Sequence, residues 1–207
     1  MTHVISKKAQ ETKLHILEAA RRVLLERGYA GLTTRGVAAM AQVPMSQIQY
    51  HFGSKEGMVL ALFSHMHSQL LLRQSEMFSD QTLSLSQKWE LACDYLDDDL
   101  SSGYVRVLQE LWAAGWSNPE IGKTVKEGVF LWQNLLTEIA REAQKTYGSL
   151  GPFEPEDISA LVGTIFIGAE AFLLLGFDEQ SMPLRRALRR IGILLKTYEQ
   201  QEKPEAI

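Results

Sequence analysis

Cysteine is nearly absent: the 207-residue chain holds one, Cys93. A single thiol makes no intrachain disulfide and no thiolate cluster for zinc or iron–sulfur, so its expected role is a small apolar filler on a helix in a reducing compartment. Long hydrophobic runs are missing as well. The longest, 169–177, is interrupted by Glu170 and falls short of a membrane span. Residues 1–10 are polar without an apolar core, so no signal peptide is expected, the expected location is the cytoplasm, and no membrane partner is foreseen. No window alternates polar and apolar residues with β-branched enrichment, so no sheet is expected. The chain also lacks a phosphate-cradling glycine loop, a Ser/His/Asp or Cys/His signature, and a histidine pair at metal-ligand spacing. His65 and His67, two apart on a helix, face different ways. Catalysis, a cofactor and a bound metal are therefore not expected.

What is present is an ordinary globular composition, 45% apolar and 22% charged, with a net charge of −4. That average conceals a division. Residues 1–60 carry eight Lys/Arg against four Asp/Glu, a net +4, while the other 147 carry 13 against 21, a net −8. A basic N-terminal quarter on an acidic body suits contact with a polyanion at one end and a different task at the other, although twelve charges are few enough to cluster by chance.

The sequence reads as helical throughout. Leu14, Leu17, Ala20, Val23 and Leu24 recur at helical spacing over residues 6–27, and Gly28 supplies a stop. Two short helices, 34–41 and 45–52, are separated by Val43-Pro44. Ser54 is placed to cap a long amphipathic helix whose stripe is Leu60, Phe63, Met66, Leu70 and Leu71. Further helices are expected at 84–99, 102–115, 119–147, 155–175 and 182–201, about nine in all, with the short ones near the N-terminus.

The stretch from Gly31 to Glu56 carries the most information. Two short helices joined by a tight turn have the geometry of a helix-turn-helix. Val37, Ala38, Ala41, Val43 and Ile48 would fill the angle between them, and Thr34 is placed to cap the first and to offer its hydroxyl to a phosphate. Met45, Ser46, Gln47, Gln49 and Tyr50 are left facing outward on the second helix, an uncharged surface of the kind that reads base edges in a major groove. Lys55, at the start of the next helix, is well placed for a phosphate.

Leu32-Thr33-Thr34, Val37-Ala38 with Ala41, Val43, Ile48, Tyr50-His51-Phe52 and Ser54-Lys55-Glu56 resemble the TetR family of bacterial transcriptional regulators. The resemblance implies an all-α dimer with an N-terminal three-helix DNA-binding domain (1–53) and a helical ligand-binding and dimerising body (54–207). It also implies DNA contacts from Arg35, facing the groove, and from Tyr50 and His51 to backbone phosphates, although packing at the helix end is an equal reading of His51. Two positions depart from the family pattern. Gln42 replaces the usual turn glycine, and Pro44 stands where a hydroxyl residue usually starts the recognition helix. If position 42 needs positive φ, Gln costs about 1 kcal/mol there.

In the body, aromatic residues at helical spacing serve mainly as core. The resemblance implies a cavity among them, with Met66, Trp112, Trp116 and Phe166 as lining candidates. Glu170 is the odd charge in an apolar helix. It either pairs with an arginine or anchors a ligand that carries a donor or cationic group. Helix 155–175 holds more apolar surface than one core-facing stripe needs, and with Leu184, Leu188, Ile191 and Leu195 of the last helix it suits a homodimer through a four-helix contact; the alternative is that helix 155–175 is central in the monomer. The sequence thus describes a regulator that binds double-stranded operator DNA as a homodimer and answers to a small-molecule effector, most simply a repressor. The alternative is a helical small-molecule-binding protein whose operator binding has degraded through Gln42 and Pro44.

Overall fold

The computed structural model describes residues 7–200, so the expected helix ends at Ser6 and Gln201 and the first six residues of the leader reading lie outside it. Nine helices and no strand occur among the described residues: α1 Lys7–Gly31, α2 Thr34–Ala41, α3 Met45–Phe52, α4 Lys55–Ser79, α5 Leu85–Ser102, α6 Tyr104–Gly115, α7 Pro119–Tyr147, α8 Pro155–Leu174 and α9 Leu184–Glu199. The all-α class and the helix-turn-helix at the N-terminus agree with the sequence reading.

The helices form two compact units. The first comprises the chain as far as Ser68 together with Arg106–Lys126, and the second comprises Gln69–Val105 and the chain from Glu127 onward. The expected division at 53/54 falls inside the first unit, because α4, α6 and α7 each run from one unit into the other.

In the first unit, Ile16, Leu17, Ala20, Val23 and Leu24 of α1 are buried with Val37, Ala38 and Ala41 of α2 and Ile48 of α3. Alanines at 20, 38 and 41 keep the axes close. The caps are local. Ser54 Oγ accepts from Gly57 N–H at 3.0 Å, as its position predicts. The cap of α2, however, is Thr33 and not Thr34: Thr33 Oγ1 accepts from Gly36 N–H at 3.0 Å, and Thr34 is the first helical residue. The reason is one of register, since the cap must be extended (Thr33 φ −129°, ψ 148°).

In the second unit, Cys93 and Leu96 of α5 pack with Phe166 and Ala169 of α8 and Leu188 of α9. Ser84 and Gln87 open α5 with a reciprocal capping box. The run Asp97-Asp98-Asp99 has a structural reason that its sequence did not disclose. Asp97 accepts from Arg185 of α9, and Asp99 accepts from Arg73 Nη2 through both oxygens at 2.8 and 2.9 Å. Arg189 joins α9 to Glu90 and Asp94 of α5 in the same way. Helix α8 contains an 18-residue window with a mean hydropathy of 1.7, long and apolar enough to cross a bilayer, although no apolar run in the sequence reaches that length. Only 28% of that window is buried.

Candidate functional site

The turn between α2 and α3 forms with left-handed backbone at Gln42 (φ 54°, ψ 39°), the one non-glycine residue with positive φ among those described. Its own N–H reaches Ala39 O, and Val43 N–H reaches Ala38 O. His15 of α1 lies 2.8 Å from Ala41 O, so the last carbonyl of α2 is held from α1. Pro44 is the N-cap of α3, not its first helical residue. It makes no side-chain cap, and its carbonyl accepts from Gln47 N–H at 2.9 Å.

Helix α3 buries one residue, Ile48, half-buries Gln47, His51 and Phe52, and exposes the others. Met45 (47% exposed) and Tyr50 (77%) stand out with Ser46 and Gln49, while Gln47 is half-buried. Arg35 is exposed on the first turn of α2, and Thr34 beside it is half-exposed. His51 packs edge-on against Tyr50, with ring centroids 4.9 Å apart. Burial, aided by the charge of Lys13, lowers the His51 imidazole below its usual range. Lys55 is already engaged: its Nζ donates to Tyr29 O at 2.8 Å and sits 4.3 Å above the Tyr29 ring. A phosphate would share that ammonium with Tyr29.

The five residues named for the effector are divided between the units: Met66, Trp112 and Trp116 in the first, Phe166 and Glu170 in the second. Met66 and Trp112 are half-buried. Trp116 is 80% exposed at the end of α6, which does not suit the wall of an enclosed cavity. Phe166 belongs to the second core, edge-on to Trp89 at 5.5 Å, and so serves packing. Its helical spacing among apolar residues fits that reading equally well.

Glu170 is the exceptional residue. It is 7% exposed and, among the described residues, no arginine pairs with it and its Oε2 has no hydrogen-bond partner. Burial, and then the charge of Asp99, pushes its carboxyl up to about 8. The Tyr104 phenol, also buried, is pushed well above its usual range by burial and by the charges of Glu170 and Asp99. A buried carboxyl with an unused oxygen is an acceptor, or when protonated a donor, awaiting a partner. Among the described residues no cluster of metal-ligating side chains occurs.

Two short helices, α2 and α3, joined by a tight turn, form a helix-turn-helix, and the similarities to known proteins fall on this segment and on the fold. Residues 16–62 match the model of the bacterial regulatory proteins of the tetR family. The transcriptional regulator TtgR of Pseudomonas putida is 37% identical over 67 residues, 32% of each chain. The match thus spans about a third of that relative's length. A putative TetR-family regulator from Rhodococcus sp. has the same fold, with a TM-score of 0.75 over 90% of this chain and 98% of that one at 17% identity. So does FadR from Bacillus subtilis, solved with stearoyl-CoA, with a TM-score of 0.72 over 88% and 96% at 19% identity.

Proposed function

We propose that this protein is a cytoplasmic transcriptional repressor that binds double-stranded operator DNA as a homodimer and is released by a small, mostly apolar or aromatic effector. The observation that carries this reading is the outer face of α3: Met45, Ser46, Gln49 and Tyr50, uncharged and exposed, on the part of the chain with net +4. An uncharged polar helix on a basic support separates base reading from phosphate attraction. Arg35 supplies a phosphate or guanine contact, and Thr34 and Ser46 supply hydroxyls. The reading in which Gln42 and Pro44 abolish operator binding is disfavoured, because α2 and α3 form and pack around both residues.

Dimerisation through α8 and α9 is supported by the apolar residues those helices leave exposed: Leu161, Ile165, Phe172, Ile193 and Leu194. Two recognition helices would then enter successive major grooves about 34–36 Å apart. For the effector, Glu170 supplies the polar contact and selects a molecule with a donor or cationic group. The related fold of FadR holding an acyl-CoA supports an effector with a large apolar part. Release follows if the effector binds one position of the body better than another.

The test is selection of duplexes from a randomised library by the full chain, followed by titration of the selected duplex against Arg35→Ala. A palindromic consensus, with a salt dependence flattened by about one unit of slope in the variant, supports the reading. Failure to enrich any sequence overturns operator binding.

A further inference from the structure

Gly28 interrupts α1 with φ 68° and ψ 177°, and one more turn, Tyr29–Gly31, follows before α2 begins. The break removes the Tyr29 N–H from the helical ladder, so it needs a partner from elsewhere. The partner comes from 81 residues away: Glu110 Oε2 of α6 accepts from Tyr29 N–H at 3.2 Å. Arg106, one turn earlier on α6, donates to Glu110 Oε1 at 2.8 Å and holds the carboxylate in place. The next peptide is held as well, because the Lys55 ammonium donates to Tyr29 O at 2.8 Å. Glycine at position 28 admits this arrangement twice over. Its φ is positive, and a Cβ there would lie 3.2 Å from Glu110 Oε1.

Two helices that continue into the second unit, α4 and α6, therefore each place a charged side chain on one backbone segment, at the point where α1 hands over to α2. We infer that residues 28–29 are the joint through which α4 and α6 fix the position of α2 and α3, with Glu110 as the positioning residue. Its significance for DNA reading rests on the function proposed above. A shift of α6 along its axis carries Glu110 with it and either drags or releases the Tyr29 peptide. Loss of the grip frees the α1–α2 connection and with it the orientation of α3. A carboxylate accepting from a backbone N–H is among the stronger hydrogen bonds, so removing it has an effect at the level of measurable affinity.

The experiment compares the full chain with its Glu110→Ala, Glu110→Gln and Arg106→Ala variants by amide hydrogen exchange, and by titration with the duplex that the wild type selects from a randomised 30-bp library. Glu110→Ala is expected to raise exchange about tenfold at Tyr29 and also within α2 and α3, and to weaken the duplex roughly tenfold. Glu110→Gln keeps an acceptor oxygen and is expected to rescue most of both effects. Arg106→Ala, which leaves the carboxylate, is expected to change them less than Glu110→Ala does. Faster exchange confined to residues 29–33 with wild-type affinity overturns the inference, as does Arg106→Ala matching Glu110→Ala. If Glu110→Ala does not fold, Glu110→Gln alone decides, through exchange in α2 and α3: a small rise supports the joint, and none overturns it. If the wild type selects no duplex, operator binding fails while the exchange pattern still decides the joint.

Discussion

The two units of this protein bury their apolar residues to different degrees. Among the described residues, the side chains larger than valine that are wholly shielded from water, such as Ile16, Leu24, Leu32, Ile48, Phe63, Leu111 and Ile121, belong to the first unit. The second unit holds most of the large apolar residues left in water: Leu72, Phe130, Leu131, Leu161, Ile165, Leu175, Ile193 and Leu194. Exposed apolar residues of this number are the surface that the proposed second copy would cover. This matches the proposed tasks, since a DNA reader must present α3 in a fixed orientation, whereas a body that binds an effector and a second copy must keep surface and polar groups in reserve.

The largest effects should separate the two units. Phe63→Ala removes a side chain that is 1% exposed and is expected to cost about 3–5 kcal/mol in urea unfolding. Leu72→Ala, 61% exposed on the same helix nine residues on, is expected to stay within about 0.5 kcal/mol. Comparable losses from the two would remove the contrast.

Next in size is Glu170→Gln. Because burial raises the Glu170 carboxyl from 4.5 to about 8, the native state holds a proton that the unfolded chain releases in that window. Wild-type stability therefore falls as pH rises from about 4.5 to 8. The facing groups do not reverse this sign. Asp99 is itself raised by burial in spite of Arg73, and Tyr104 stays protonated through the window. Glu170→Gln is expected to be more stable than wild type by about 2–4 kcal/mol at pH 8.5, the gain vanishing near pH 5. Thermal melts across that range decide it, and a pH-independent difference would mean that Glu170 is ionised with a partner.

A smaller effect concerns the uncovered face. Leu194, 69% exposed, and Ile165, 42% exposed, lie on the surface proposed to meet a second copy. Leu194→Glu is expected to weaken self-association at least tenfold, read by sedimentation at micromolar concentration, and to leave the monomer's helix content unchanged. A wild type that sediments as a monomer defeats the dimer directly.

How much of this was legible beforehand depended on the range of the interaction. Helices α2, α3 and α7 are readable to the residue, because prolines, glycines and hydroxyl caps act over three or four positions. The outward face of α3 follows from the same periodicity. The role of Lys55 was not readable, since its charge at a helix start suggests a phosphate, and only the fold brings Tyr29 O within 2.8 Å. Glu110, the partner of a backbone N–H 81 residues away, gave no local sign at all. Phe166 and Trp116 show the limit from the other side: an aromatic residue at helical spacing can be core or surface, and spacing alone does not say which.

The smallest effect tests the turn that the first unit depends on. Gln42 adopts φ 54° where most members of the resembling family place glycine, and an L-residue in that region carries about 1 kcal/mol of strain. Glycine would relieve it but would also give the unfolded chain more freedom, which offsets part of the gain. Gln42 is exposed and its side chain makes no hydrogen bond among the described residues, so little else is lost. Gln42→Gly is therefore expected to raise stability by about 0.5 kcal/mol, seen as a higher urea midpoint at unchanged slope. His15, 2.8 Å from Ala41 O, should keep the turn in register, so duplex affinity is expected to be unchanged. A loss of stability would show that Gln42 contributes packing in the folded state that outweighs its strain. A loss of affinity at unchanged stability would make Gln42 itself a DNA contact.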